Sequence, residues 1–143
     1  GDANGGDVEA VEKASGKLSE EGGMRVVELN VNGAFHTPLF RPSSQRLGEV
    51  LKGVSFRDPE FVIESNTDRI PFTKGNAAEI LQRQVMSPTH FADCVERMIR
   101  DFEVEAFIEI GPGETLSKFV RQIDRNVGRT SVETLEKMQK VSL

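Results

Sequence analysis

The sequence predicts a layered α/β protein with a mostly parallel sheet. Two observations carry that reading. Segments of helical and strand pattern alternate along the chain, the arrangement that packs helices on a parallel sheet. Two short apolar runs, Phe61-Val62-Ile63 and Ala106-Phe107-Ile108-Glu109-Ile110, have the composition of strands covered on both faces. Only about three strands can be counted, fewer than the usual sheet. Part of the sheet is therefore expected to lie outside this sequence.

The elements follow in order. Residues 1–6, Gly-Asp-Ala-Asn-Gly-Gly, read as a flexible lead-in, and Asp7 as the N-cap of a helix whose apolar side holds Val8, Val11 and Leu18. Gly22-Gly23 ends it. Alternation of Val27, Leu29 and Val31 predicts a strand over 24–31, closed by Gly33. Residues 33–38 form a loop, and Pro38 starts a helix to about Lys52 with Phe40, Leu47, Val50 and Leu51 on one side. Asp58-Pro59 turns the chain into the 61–63 strand, which Ser65-Asn66-Thr67-Asp68 ends. Asn76 caps a helix with Ala77, Ile80, Leu81 and Val85. Ser87-Pro88 opens another, with Phe91, Cys94, Val95, Met98, Ile99 and Phe102 at helical spacing. The strand at 106–110 passes through Gly111-Pro112-Gly113 into a helix at about 115–125. A last short helix is expected around 132–140.

Composition narrows the function classes. The 143 residues carry 18 basic and 23 acidic side chains, a net charge of −5, which argues against a general nucleic-acid binder. No apolar run is long enough to span a membrane, and no signal-peptide pattern opens the chain. With Cys94 as the single cysteine and His36 and His90 as the two histidines, a disulfide framework is excluded and a metal site is not expected. Reduced-thiol usage suits a cytoplasmic or organelle-matrix setting.

Four places could carry chemistry. His36 lies in a loop after a predicted strand, where catalytic groups concentrate, and imidazole moves protons near neutral pH; on spacing alone a loop histidine without a role is the better fit. A histidine base needs a nucleophile, yet no Gly-x-Ser-x-Gly elbow occurs. The nearest match, Gly53-Val54-Ser55-Phe56-Arg57, lacks the second glycine. Cys94, on the apolar side of its helix, reads as core. Gly111-Pro112-Gly113-Glu114 could hold an anion on backbone N–H groups or be a turn that needs glycine torsions. Lys118, Arg121 and Arg125, at i, i+3 and i+7, could dock an acidic partner or form a solvated face.

Several segments, in order, resemble malonyl-CoA:acyl carrier protein transacylases. Gly33-Ala34-Phe35-His36-Thr37-Pro38-Leu39 is similar to that family's catalytic-histidine segment, and Ser65-Asn66-Thr67-Asp68 to the strand-end motif after it. The stretch Leu81-Gln82-Arg83-Gln84-Val85-Met86-Ser87-Pro88 resembles an L-x-x-Q-hydrophobic-x-x-P motif. Phe107-Ile108-Glu109-Ile110-Gly111-Pro112-Gly113 with Leu116-Ser117 resembles the final strand–turn–helix, and Glu9-Ala10-Val11-Glu12-Lys13-Ala14 a helix of the small inserted subdomain.

The resemblance implies a fold: the end of a ferredoxin-like small subdomain over 1–32, and the C-terminal part of an α/β-hydrolase-like large subdomain over 33–143. It also implies a ping-pong reaction in fatty acid biosynthesis. A serine takes malonyl from coenzyme A and passes it to the phosphopantetheine thiol of acyl carrier protein, with no bound cofactor. His36 matches the catalytic base, Gln84 the glutamine that helps orient it in place of the usual carboxylate, and Phe35 a position that selects malonyl over methylmalonyl. The serine elbow, the arginine that pairs with the malonyl carboxylate and the oxyanion segment have no counterpart. The expected partners are thus acyl carrier protein, a coenzyme A thioester and a missing N-terminal half, with neither nucleic acid nor membrane. The chain by itself is expected to be inactive. The alternatives are a non-catalytic fragment that binds acyl carrier protein and a piece of a polyketide synthase acyltransferase domain.

Overall fold

The computed structural model describes residues 4–22 and 25–141. The fold is α/β with a small parallel sheet. It divides into two compact units, residues 1–89 and 90–143.

The first unit opens with α1 (Val8–Glu20), capped as the sequence predicts: Asp7 Oδ1 accepts from the Ala10 amide at 3.0 Å. None of its residues is buried. The strand predicted over 24–31 does not form among the described residues 25–31, and Met24 lies outside them. The apolar side chains of that segment are exposed, because alternation makes a strand only where a neighbour supplies the ladder. A 3-10 turn (Pro38–Phe40) leads into α2 (Arg41–Leu51). Its buried residues are Ser44 and Gly48, whereas Val50 from the expected apolar side is exposed. Small residues face inward because α3 (Ala77–Gln84) approaches closely: a Cβ on Gly48 would lie 2.5 Å from the Gln82 side chain. Ala77 and Ile80 are the buried residues of α3.

The run Phe61-Val62-Ile63 corrects a second expectation. These residues are exposed, Phe61 by 75%, and the segment's pairing is an isolated antiparallel bridge between Glu64 and Pro71. A strand buried on both faces needs covering layers, which the described residues of this unit do not supply.

In the second unit, α4 (Phe91–Asp101) precedes β1 (Ala106–Ile110), α5 (Thr115–Ile123), β2 (Gly128–Val132) and α6 (Leu135–Gln139). β1 and β2 pair in parallel, with Ala106 opposite Gly128 and Ile110 opposite Val132. This β–α–β unit wraps a core of Val95, Val120 and Val127, against which Phe91, Ile99, Phe107 and Ile123 pack. Cys94 is buried in α4, as expected. Three expectations change here. β2 was not foreseen, because Gly-Arg-Thr-Ser-Val carries little apolar signal; its 132 end takes the start of the expected 132–140 helix, which is confined to α6. β1 is not fully buried, since Ile110 is 82% exposed. Helix α5 stops at Ile123, where Asp124 turns extended, so Arg125 lies beyond the helix and off the row of Lys118 and Arg121.

Candidate active site

The candidate site is built around His36, in the loop between the 25–31 segment and α2. Thr37 precedes a proline and is extended, at φ −129° and ψ 161°. Its Oγ1 donates to the Ala34 carbonyl at 2.7 Å, and its own carbonyl accepts from the Phe40 amide at 3.0 Å. The tight turn places His36 at φ 60°, a left-handed conformation that L-residues adopt rarely. Such a conformation costs on the order of 1–3 kcal/mol and persists where its surroundings enforce it.

The enforcing contacts come from the end of α3. The His36 amide donates to the Val85 carbonyl at 3.0 Å, and ring Nδ1 lies 2.8 Å from the Gln84 main-chain carbonyl. A carbonyl oxygen can only accept, so Nδ1 carries the hydrogen in the neutral ring and Nε2 is the basic nitrogen. Gln84 therefore meets the histidine through its backbone carbonyl. An α-helix leaves its last four carbonyls without intrahelical donors, and His36 takes up carbonyls at this end. The Gln84 oxygen is thus available because α3 stops there.

Phe35 projects beside His36, 54% exposed, its ring centroid 4.5 Å from that of Phe40 at a 38° tilt.

Sequence reasoning missed the groups that hold α3. Ser44 Oγ donates to the Gln82 carbonyl at 2.6 Å. The Arg83 guanidinium grips Asp68 by two hydrogen bonds, of 3.0 and 2.5 Å, and also bonds Glu79. These contacts raise the pKa of Arg83, Glu79 contributing most. The Arg83 hydrogen bonds hold the Asp68 carboxyl below its ordinary range. The spacing of Glu79 and Arg83, i and i+4, signals the local half of this network; its bond to Asp68 has no signature in sequence.

The turn at Gly111-Pro112-Gly113 binds carboxylates of the chain itself. Glu109 accepts from the Leu116 and Ser117 amides at 3.0 and 2.8 Å, and Glu133 from the Gly113 amide at 2.9 Å. The N-terminus of α5 is thereby occupied, and the amide of Ser117, then that of Leu116, lowers the pKa of Glu109. Gly111 and Gly113 have φ of 139° and 89°, so the glycines serve the turn. Of the expected basic row, Lys118 and Arg121 remain together. With Arg129 of β2 they line a shallow hollow, and Lys118 is partly offset by Glu114 at 3.8 Å. No cluster of three metal-binding side chains occurs among the described residues.

The first unit thus holds an exposed histidine anchored through Nδ1, and the second a strand–turn–helix on a parallel sheet. Sequence and structure comparison give the family. The chain is 35% identical over 135 residues, 92% of its length, to the malonyl CoA-acyl carrier protein transacylase of Bacillus subtilis. It matches the MCAT of Streptococcus pneumoniae over 94% of its length, with a TM-score of 0.86 and 39% identity. It also matches a type II polyketide acyl carrier protein's malonyl-transacylase, solved in complex with that carrier, at a TM-score of 0.84 and 29% identity. The chain covers 42% of the Bacillus protein and 44% of each of the two solved chains, so it spans less than half the length of these relatives. It is a homologue of the malonyl-CoA:acyl carrier protein transacylases and corresponds to their C-terminal part. No protein-family model matches. No helix among the described residues is long and apolar enough to cross a membrane.

Proposed function

We propose that this chain supplies the histidine of a two-part site that transfers malonyl from coenzyme A to acyl carrier protein in cytoplasmic fatty acid biosynthesis. The observation that carries the reading is the 2.8 Å contact from His36 Nδ1 to the Gln84 carbonyl. It sets the ring to accept a proton on Nε2, and it is made by an exposed residue in a rare backbone conformation. A serine outside this sequence provides the hydroxyl. His36 Nε2 takes the serine proton as the oxygen attacks the thioester carbon. The carbon–sulfur bond breaks, the coenzyme A thiolate takes that proton from Nε2, and malonyl remains as a serine ester. The carrier's phosphopantetheine thiol then gives its proton to Nε2 and attacks the ester, and the serine leaves with the proton. His36 lies against carbonyls at the C-terminus of α3, the negative end of the helix dipole, which suits the transient imidazolium. Phe35 crowds a C2 methyl and so favours malonyl over methylmalonyl. No cofactor is required.

In this reading residues 1–32 end a ferredoxin-like subdomain and 33–143 belong to the hydrolase-like one. The exposed apolar run 61–63 supports it, as a surface that a larger protein would cover. Mixed with malonyl-CoA, the chain should gain no malonyl mass. A malonyl adduct on this polypeptide would refute the divided site.

A second reading rests on the hollow of Lys118, Arg121 and Arg129: a basic face on an acidic chain suits docking of an acidic acyl carrier protein, with or without catalysis. Arg121→Glu should weaken carrier binding and flatten its salt dependence; unchanged affinity by calorimetry would remove this face from recognition. A chain that binds the carrier but supports no transfer when a serine-bearing segment is supplied would favour the non-catalytic alternative. Preference for a polyketide carrier would favour the synthase one.

A further inference from the structure

We propose that the Asp68–Arg83 ion pair is a positioning device for His36: it holds the last turn of α3 so that the Gln84 and Val85 carbonyls meet the ring and amide of that histidine. The proposal rests on the reading of His36 as the base and extends it to residues that touch neither substrate nor the reacting atoms.

The carbonyls at the end of α3 leave the helix ladder one after another. The Gln82 carbonyl accepts from Ser44 Oγ, that of Arg83 from the Met86 amide at 3.0 Å, that of Gln84 from His36 Nδ1 and that of Val85 from the His36 amide. Four consecutive residues thus spend their carbonyls outside the regular helix ladder, and two of the four hold the histidine. A displacement of this turn by a few tenths of an ångström would lengthen both histidine bonds together.

Two neighbours brace the turn. One is α2, through Ser44, which is 2% exposed. The other is the loop 65–70, and it is unusually well knit. Ser65, 1% exposed, accepts on Oγ from the Thr67 and Asp68 amides at 3.2 and 3.5 Å, and its carbonyl accepts from the Arg69 amide at 2.8 Å. The Ser65 amide donates to the Ile70 carbonyl at 2.9 Å, which closes the loop. Asp68 therefore projects from a fixed base. Arg83 sits between Gln82 and Gln84, and Glu79, one turn earlier on the same helix, orients its guanidinium. The fork reaching Asp68 joins the helix end to the loop.

Its chemistry suits positioning better than stability. Side chains 28% and 37% exposed form pairs of small net stabilisation. A bidentate arginine–carboxylate contact nonetheless sets distance and plane at once, which a lysine cannot do.

The test reads the tautomer of His36 directly, by long-range nitrogen–proton NMR on the purified chain above neutral pH. The only other imidazole, His90, lies in the second unit and serves as the internal reference. In the wild type the Nδ1–H form of His36 should dominate. Arg83→Met and Asp68→Asn should each lower the ratio of Nδ1–H to Nε2–H several-fold, toward that of an unconstrained imidazole, with His90 unchanged. Arg83→Lys should restore the ratio only in part. The double variant Asp68→Asn/Arg83→Met should be no worse than either single one. A wild-type ratio retained in both single variants overturns the proposal. So does a loss of spectral dispersion in both, since the pair would then serve folding. A wild-type His36 without the Nδ1–H form overturns the histidine assignment itself, which separates the two failures.

Discussion

The two units of the chain are held by different means. Residues 1–89 add to the buried Ala77 and Ile80 a set of polar contacts between short segments: a serine on a carbonyl, an arginine fork, and a histidine bonded to a helix end. Residues 90–143 depend on an apolar cluster of three valines inside a β–α–β unit. Polar contacts are directional and fix geometry; apolar burial is non-directional and supplies free energy. The unit with the directional contacts is the one that carries the candidate base. A catalytic ring must be aimed, and a core need only be dry.

The largest expected effect falls on the first unit. With a serine-bearing segment supplied, His36→Ala should lower malonyl transfer by about 10²–10⁴-fold, the contribution of a positioned general base, with no change in the melting of the second unit. Full transfer by that variant would remove His36 from the mechanism. In the same assay Phe35→Ser should move the malonyl-to-methylmalonyl ratio toward methylmalonyl, and an unaltered ratio would show that the ring is no gate.

Next comes the apolar core. Val120→Ala removes two methyl groups from a 3% exposed site and should cost about 2 kcal/mol by urea unfolding. Val50→Ala in α2, at 67% exposure, should stay within about 0.5 kcal/mol. Equal costs would erase the contrast between the units.

The smallest effect is acid sensitivity. The Glu109 carboxyl is held below its usual value of 4.5 by the Ser117 and Leu116 amides. Its folded pKa lies under the unfolded one, so its contribution is complete above the unfolded value and fades as pH falls through the folded value. Thermal melts of the second unit should therefore decline in that acidic window, and Glu109→Gln should flatten the decline. A variant with the wild-type slope would place the acid sensitivity elsewhere. Asp68 follows the same sign in the first unit, through Arg83.

Much of the fold was legible because local signals agreed with the tertiary outcome. Asp7 caps α1, and Phe91, Val95 and Ile99 of α4 face the core of the second unit, whereas Asn76 precedes α3 without capping it, its Oδ1 accepting from the Thr73 amide. The failures share a cause. The runs at 25–31 and 61–63 have strand composition without a strand, and Gly128–Val132 is a strand with almost no strand composition. Pairing depends on which segment comes alongside, and β2 pairs because α5 returns it beside β1. Arg125 left its predicted row for a related reason: Asp124 adopts an extended backbone, so the helix ends at Ile123, two residues before it.

The candidate site divides along the same line. The sequence showed directly that no serine elbow occurs, while Phe35, Gln84 and the role given to His36 came from the resemblance of ordered motifs. Tertiary structure decided that the Gln84 carbonyl faces the ring, that the contact is made at Nδ1, and that Ser44 and Asp68 bond to the helix that offers it. Those contacts join residues 15 to 48 positions apart. A hydrogen bond's partner is chosen by distance in space, to which spacing along a chain gives no guide beyond a helix turn or a strand pair.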